Sequence, residues 1–194
     1  MPEAEQLRRR GEVMTDALTT RGLFLSSALE CLRRLQGEDA VRAAVSDARI
    51  GDSRFAMRKY PLKMFNDLRS VIGERIAPTV GSLEEGIARI GAFAVEMSFE
   101  SLPGRTMMAL AGRDPHRLSS AAPKGYALAF DDGAQRSYEK LGETEGVFRF
   151  RNCLLGPCHQ VGVFRTALKA ACGVDVRVRI DQPSLADYDV HISW

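Results

Sequence analysis

Apolar positions recur at helical spacing through the first two-thirds of the chain and alternate with polar ones in the last third. Leu25, Leu29 and Leu32 fall one turn apart and predict a helix from Leu23 to Leu35, with Ser26 or Ser27 as its cap and Gly37 as its stop. A shorter helix is expected from Asp39 to Ala48, closed by Gly51. Tyr60-Pro61 marks a chain break, because the residue before a proline avoids the helical region. Pro61 then opens a helix through Ile76 whose apolar stripe is Leu62, Phe65, Leu68 and Ile72. Ser82 and Glu85 have capping-box spacing before Leu83, Ile87, Ile90, Ala94 and Met97, which keep one face for four turns. Gly86 and Gly91 interrupt that helix at about 1 kcal/mol each relative to Ala, which suits a place where a neighbour comes close. Pro103-Gly104 is expected to end it and Arg105 to Ala111 to resume it, followed by helical pieces Pro115–Ala121 and Lys124–Phe130 divided by Pro123. Residues 3–20 are polar and weakly periodic, a helix that docks loosely.

After residue 130 the period changes to two. Val147, Arg149 and Arg151 alternate with Phe148 and Phe150, while Val174, Val176, Val178 and Ile180 alternate with Asp175, Arg177 and Arg179. Tyr188, Val190, Ile192 and Trp194 alternate with Asp189, His191 and Ser193, and Gln135 to Leu141 supplies a fourth strand. Between the second and third strands, Val161, Phe164, Leu168 and Cys172 share a helical face that stops at Gly173. The expected class is therefore α+β: a helical N-terminal two-thirds packed on a C-terminal four-stranded antiparallel sheet in the order β-β-α-β-β. Residues 1–19 read as an N-terminal extension or docking helix, and residues 20–194 as a single domain.

Composition narrows the class without naming a function. The 194 residues are 45% hydrophobic and 27% charged, with 27 basic and 25 acidic groups. No apolar run reaches the roughly 18 residues of a membrane span, and Met1 to Arg10 has no apolar stretch of the kind a secretory signal needs. Four cysteines do not make a disulfide framework, so a cytoplasmic protein with reduced thiols is expected. Arg8-Arg9-Arg10 is a short basic run with no aromatic interleaving, so no nucleic-acid partner is inferred.

Chemistry-bearing motifs are sparse. There is no G-x-S-x-G elbow, Walker loop, dinucleotide fingerprint or H-E-x-x-H, and no acid–base pair stands at persuasive spacing from a nucleophile. The expectation is a protein that is not an enzyme. Cys153, Cys158, His159 and Cys172 are metal-ligand types, but their spacing is not that of a structural zinc site. Arg105 follows Pro-Gly at an expected helix start, where an anion could sit, and Met97, Met107 and Met108 could line an adaptable cavity.

Several short motifs, in order, carry a resemblance. They are Arg21-Gly22-Leu23-Phe24 with Ser27-Ala28-Leu29, Tyr60-Pro61, Leu102-Pro103-Gly104-Arg105, Ala109-Leu110-Ala111-Gly112 with Asp114-Pro115, and Pro123 with Gly125-Tyr126. Gly156-Pro157 with His159, Gly162-Val163 and the closing Ile192-Ser193-Trp194 complete the set. Over residues 20–194 the chain resembles a myxobacterial paralogous family of unknown function. That family is similar in fold pattern to the heme-NO-binding, 4-vinyl-reductase and TRAPP-like superfamily. The resemblance implies a sensor or adaptor holding a small hydrophobic molecule between helices and sheet. Two departures stand against heme: Tyr138-Glu139-Lys140 lacks the Tyr-x-Ser-x-Arg motif, and His116 is poorly placed as an axial ligand. No cofactor is therefore expected. Cys31 is not carried over as a lipid attachment site.

Two functions follow as expectations. In the first, an apolar pocket is lined by Tyr60, Phe99, Arg105, Tyr126, His159 and Phe164 and takes a small hydrophobic ligand. In the second, the chain is a ligand-free homodimeric adaptor for cytoplasmic proteins, using an uncovered helical face on Leu62–Ile72 or Leu83–Met97.

Overall fold

The computed structural model describes residues 1–50 and 57–194, apart from the side chains at positions 102, 103, 107, 110 and 111; the expected stop at Gly51 lies outside the described residues. Helices α1 (Glu3–Val13), α2 (Gly22–Gln36), α3 (Glu38–Asp47), α4 (Leu62–Val80), α5 (Leu83–Glu100), α6 (Leu102–Ala111) and α7 (Pro115–Ala129) fill the first part. A four-stranded antiparallel sheet follows, built from β4 (Gln135–Lys140), β5 (Glu145–Arg151), β6 (Arg177–Asp181) and β7 (Tyr188–Ser193) in the order β4-β5-β7-β6, with α8 (Pro157–Cys172) between β5 and β6. A second sheet joins β1 (Thr19–Arg21), β2 (Lys59–Pro61) and β3 (Phe130–Asp131) in the order β2-β1-β3. The α+β class and the β-β-α-β-β order match the expectation from the chain.

Period-two burial makes the large sheet amphipathic. On β7, Tyr188, Val190 and Ile192 are buried, and on β5 Phe148 and Phe150 face the same layer, with Phe148 opposite Val190 and Phe150 opposite Tyr188. Helix α8 lies on this face. Phe164 stacks on Phe148 with ring centroids 3.9 Å apart and planes 16° from parallel, and Leu168 is buried one turn on. Burying side chains of this size contributes about 1.5–3 kcal/mol each. The stripes Leu62, Phe65, Leu68, Ile72 and Ile87, Ile90, Ala94 are buried within the same protomer. The core therefore takes up the Leu62–Ile72 face and the middle of the Leu83–Met97 face, whose end residues Leu83 and Met97 stay half-buried.

Helices α5 and α8 cross unusually close. A Cβ added to Gly91 would collide with the His159 carbonyl oxygen, and one added to Gly162 would collide with the Ala88 carbonyl oxygen. The interruption at Gly91 thus marks a backbone-to-backbone approach, and a Cβ on Gly86 would likewise sit 2.7 Å from the Gly73 carbonyl oxygen.

Local departures from the sequence reading have identifiable causes. The Ser82 cap forms, its hydroxyl accepting from Glu85 N at 3.2 Å, whereas α2 begins at Gly22 with no side-chain cap and Ser27 Oγ donates to the Phe24 carbonyl. α6 starts at Leu102 because Ser101 Oγ accepts from Gly104 N at 3.2 Å and Pro103 is tolerated in the first turn. Pro123 does not divide α7; contacts with β4 and α8 outweigh the one lost backbone hydrogen bond. Tyr60-Pro61 is strand β2, with Tyr60 opposite Thr20.

The largest difference concerns α1, which is docked firmly. Leu7 and Arg10 are fully buried and Glu3 is 3% exposed. Arg10 Nη1 lies 3.3 Å from Glu3 Oε1, and its Nε donates to the Leu185 carbonyl at 3.3 Å. Arg8 and Arg9 pair with Glu5 and Glu12 on the solvent side, so the basic run is taken up in ion pairs and burial.

Candidate functional site

Between α5, α7, α8 and the sheet lies an apolar pocket of about 180 Å³ that opens to the surface. α5 contributes Ala94, Val95, Ser98 and Phe99; α7 contributes Leu118, Ser119, Ala122, Gly125, Tyr126 and Ala129. The i, i+4 run His159, Val163, Ala167 of α8, together with Phe164 and Leu168, supplies a third wall. Phe148 of β5, Phe130 of β3 and Phe24 of α2 complete it. No charged side chain is among these residues.

Four of the six residues expected at a pocket meet here: Phe99, Tyr126, His159 and Phe164. Tyr60 and Arg105 do not line it. Tyr60 packs half-buried on the small sheet with the Arg58 guanidinium 5.8 Å from its ring, because Tyr60-Pro61 pairs with β1. Arg105 is exposed one turn inside α6, whose start is already capped by Ser101. The methionines contribute little to the site: Met97 and Met108 are half-buried and absent from the cavity wall, and the Met107 side chain lies outside the described residues.

His159 is the polar residue most constrained by this arrangement. It is 1% exposed, its ring meets Phe65 edge-on at 5.9 Å, and its Nδ1 has no hydrogen-bond partner. Burial and, secondarily, the Arg69 guanidinium hold its pKa well below the usual imidazole value, so it is neutral at physiological pH. Ser119 Oγ neighbours Tyr138 without reaching hydrogen-bond geometry and is also buried and unpartnered.

A buried polar network backs the cavity, and the sequence reading missed it. The Tyr126 hydroxyl donates to Gln160 Oε1, Gln160 Nε2 donates to Tyr188 Oη at 3.5 Å, and Tyr188 Oη donates to Cys153 Sγ at 3.2 Å. Arg136 closes the loop: it pairs with buried Asp132, lies 3.6 Å from Cys153 Sγ, and sets its guanidinium 5.0 Å from the Tyr126 ring centroid. Burial raises the pKa values of Tyr126 and Tyr188, so both stay protonated as donors. These partners lie far apart in sequence and share a layer because Arg136 pairs opposite Phe150 and Phe150 opposite Tyr188.

The cysteines and histidines do not converge on a metal. Among the described residues no group of three His, Cys, Asp or Glu side chains could hold an ion. Cys153 is held by Tyr188, and burial, with Glu3 nearby, pushes the Cys158 thiol up to about 12. His116 is on the outer end of α7, where its Nδ1 accepts from the Tyr138 hydroxyl and its Nε2 donates to the Glu143 carbonyl at 2.9 Å, with Trp194 edge-on at 4.8 Å. Among the described residues no helix is long and apolar enough to cross a membrane.

The architecture matches that of H-NOX proteins. The Fe(II) unliganded H-NOX protein from K. algicida superposes with a TM-score of 0.69 at 11% identity, covering 89% of this chain and 95% of that one. A point mutant of T. Tengcongensis H-NOX gives 0.69 at 12% identity, covering 89% and 96%. An oxygen-binding H-NOX domain related to soluble guanylate cyclases, solved as its oxygen complex, gives 0.66 at 11% identity over 89% and 94%. At these identities the likeness is one of fold. No curated protein matches the chain in sequence. The model of a family described as protein of unknown function, DUF2378, matches residues 14–194, and the chain belongs to that family.

Proposed function

We propose that the protein is a non-catalytic ligand-sensing module that holds a small hydrophobic molecule in the cavity between α5, α7, α8 and the sheet. One observation carries the reading: a pocket walled by Phe99, Tyr126, Phe130, Phe148 and Phe164, with no charged side chain among its described lining residues. A concave, mostly apolar pocket with few polar groups is the usual form of a site for small apolar guests. The H-NOX fold, in which solved relatives are described with Fe(II) or bound oxygen, supports a sensing role. The wider kinship with 4-vinyl-reductase and TRAPP-like proteins, and the myxobacterial character of the family, rest on the motifs quoted above.

Heme does not fit this site. The cavity of about 180 Å³ lies below the roughly 300–1,000 Å³ of pockets for drug-sized ligands. None of its described lining residues is a cation that could pair with propionates. His116 is engaged outside the cavity by Tyr138 and Glu143. We therefore read the module as a relative in fold that takes a smaller guest. A cytoplasmic location and a dimeric assembly are compatible with this reading; of the two faces expected for a partner, Leu62–Ile72 is buried, and Leu83–Met97 is buried at Ile87, Ile90 and Ala94 and half-buried at Leu83 and Met97.

The test is native mass spectrometry of the protein purified from its own host, paired with thermal-shift titration by small apolar probes. A bound small molecule, or a concentration-dependent rise in Tm, supports the reading. A bare chain whose Tm ignores every apolar probe contradicts it.

A further inference from the structure

The two edges of the large sheet differ. β4 is guarded: its inward position Arg136 is charged, and α7 packs against it, with the Tyr138 hydroxyl bonded to His116. β6, at the other edge, has aliphatic Val178 and Ile180 at its inward positions and no proline. Among the described residues its backbone makes no hydrogen bond beyond the ladder to β7. We infer that β6 is the docking edge for a second copy of this chain, paired antiparallel about Ile180 so that two four-stranded sheets join into one.

The ladder shows which backbone groups are open. Trp194 N donates to the Thr144 carbonyl, on the β5 side of β7. Backbone groups alternate sides along a strand, so those of Ser193, His191 and Asp189 face β6 and engage their register partners Arg177, Arg179 and Asp181. The N–H and C=O groups of Val178 and Ile180 therefore turn away from β7, and a row of such groups is a template for another strand.

Charge selects the occupant and the register. Arg177, Arg179 and Asp181 are exposed on the outer face and, among the described residues, form no ion pair. Their neighbours Arg149 and Arg151 on the same face are paired with Glu139 and Asp189. Asp181 stands opposite Asp189, a like charge, so its own sheet offers it no directly opposite cation. With Ile180 opposite its own copy, Arg179 faces the copy's Asp181 and Asp181 faces the copy's Arg179, at the close, non-hydrogen-bonded positions. Arg177 lies on the diagonal to the same Asp181 of the copy. Val178 and Gln182 meet at the hydrogen-bonded positions on either side, and Pro183 falls opposite Arg177, where no outward donor is required. Centring on Arg179 sets Arg179 against itself, and centring on Val178 sets Arg177 against Arg179; only the Ile180 register opposes unlike charges throughout. That register also covers Ile180, which is 37% exposed.

The experiment is sedimentation velocity of the full chain from micromolar to near-millimolar concentration. A dimer fraction that rises with concentration is expected. Asp181→Arg alone and Arg179→Asp alone each set like charges opposite one another at two places, and each should weaken association by about tenfold or more. An equimolar mixture of these two variants opposes unlike charges at both contacts and should dimerise about as the parent does. In the parent, amide exchange at Val178 and Ile180 should slow as the dimer forms; should either variant not fold, this measurement decides. A chain that stays monomeric, a dimer indifferent to both substitutions, a mixture no better than its components, or Val178 and Ile180 amides whose exchange ignores concentration would overturn the inference.

Discussion

Replacing Arg10 with Met removes a guanidinium from the interior while keeping an apolar stem of similar reach. Arg10 is fully buried; its Nη1 faces Glu3 at 3.3 Å, its Nη2 donates to Gln6, and its Nε donates to the Leu185 carbonyl. It also packs against the start of α8, where a Cβ on Gly156 would collide with Nη1. Arg10→Met strands the Glu3 carboxylate, whose Oε2 already lacks a partner. Breaking one side of a buried pair costs about 3–5 kcal/mol. At about 2–4 °C per kcal/mol for a chain of this size, Tm should drop by about 6–20 °C. Circular dichroism melts and urea titrations measure this. The control is Glu3→Met with Arg10→Met, which removes both charges and should recover most of the loss, since a well-packed apolar pair can match a buried ionic one. An Arg10→Met Tm within about 2 °C of the parent would refute the reasoning, as would a double variant no better than the single. The result also bears on α1, which precedes the matched residues 14–194 yet supplies a buried latch.

Three further outcomes are expected. Gly162→Ala should destabilise by at least about 1–3 kcal/mol in urea titration, because its Cβ would meet the Ala88 carbonyl, and backbone cannot step aside as a side chain can; unchanged stability would contradict the close α5–α8 crossing. Phe164→Ala should cost about 3–5 kcal/mol and let the cavity accept naphthalene, read as a new thermal shift with that probe; no response to naphthalene would place Phe164 away from the guest. His159 has a native pKa depressed below its unfolded value near 6.5, so its contribution is complete above that pH and is lost, as pH falls, when the unfolded chain takes up a proton that the native state refuses. The parent should lose up to about 2 kcal/mol more than His159→Leu between pH 6.5 and 5, and parallel stability curves would show that His159 is not held neutral.

The sheet and the long helices were legible because each carries an unbroken period. β7 reads Tyr188, Val190, Ile192 along one face, and α5 is announced by Ser82 and Glu85. The small sheet was not legible, since β1, β2 and β3 are two or three residues long and exist only through pairing across some 40 to 110 residues of chain. Proline misled twice: Pro103 sits in a first turn, and Pro123 sits inside α7, where tertiary contacts override the local penalty. Composition hid the role of α1 because Arg8, Arg9 and Arg10 are alike in sequence, while only Arg10 faces inward. At the site, aromatic residues and His159 on the apolar faces of α5, α7 and α8 were accessible to inspection. The network of Arg136, Asp132, Cys153, Gln160 and Tyr188 was not, because it assembles polar groups from separate segments of the chain.

The most direct test of a ligand site is a crystal structure of the full chain grown with toluene, inspected at the space between Phe99, Tyr126, Phe148, His159 and Phe164. Density for one ring in that space, in contact with the stacked pair Phe148 and Phe164, is the expected result. A space closed by the protein's own side chains, or toluene bound only elsewhere on the molecule, would contradict it.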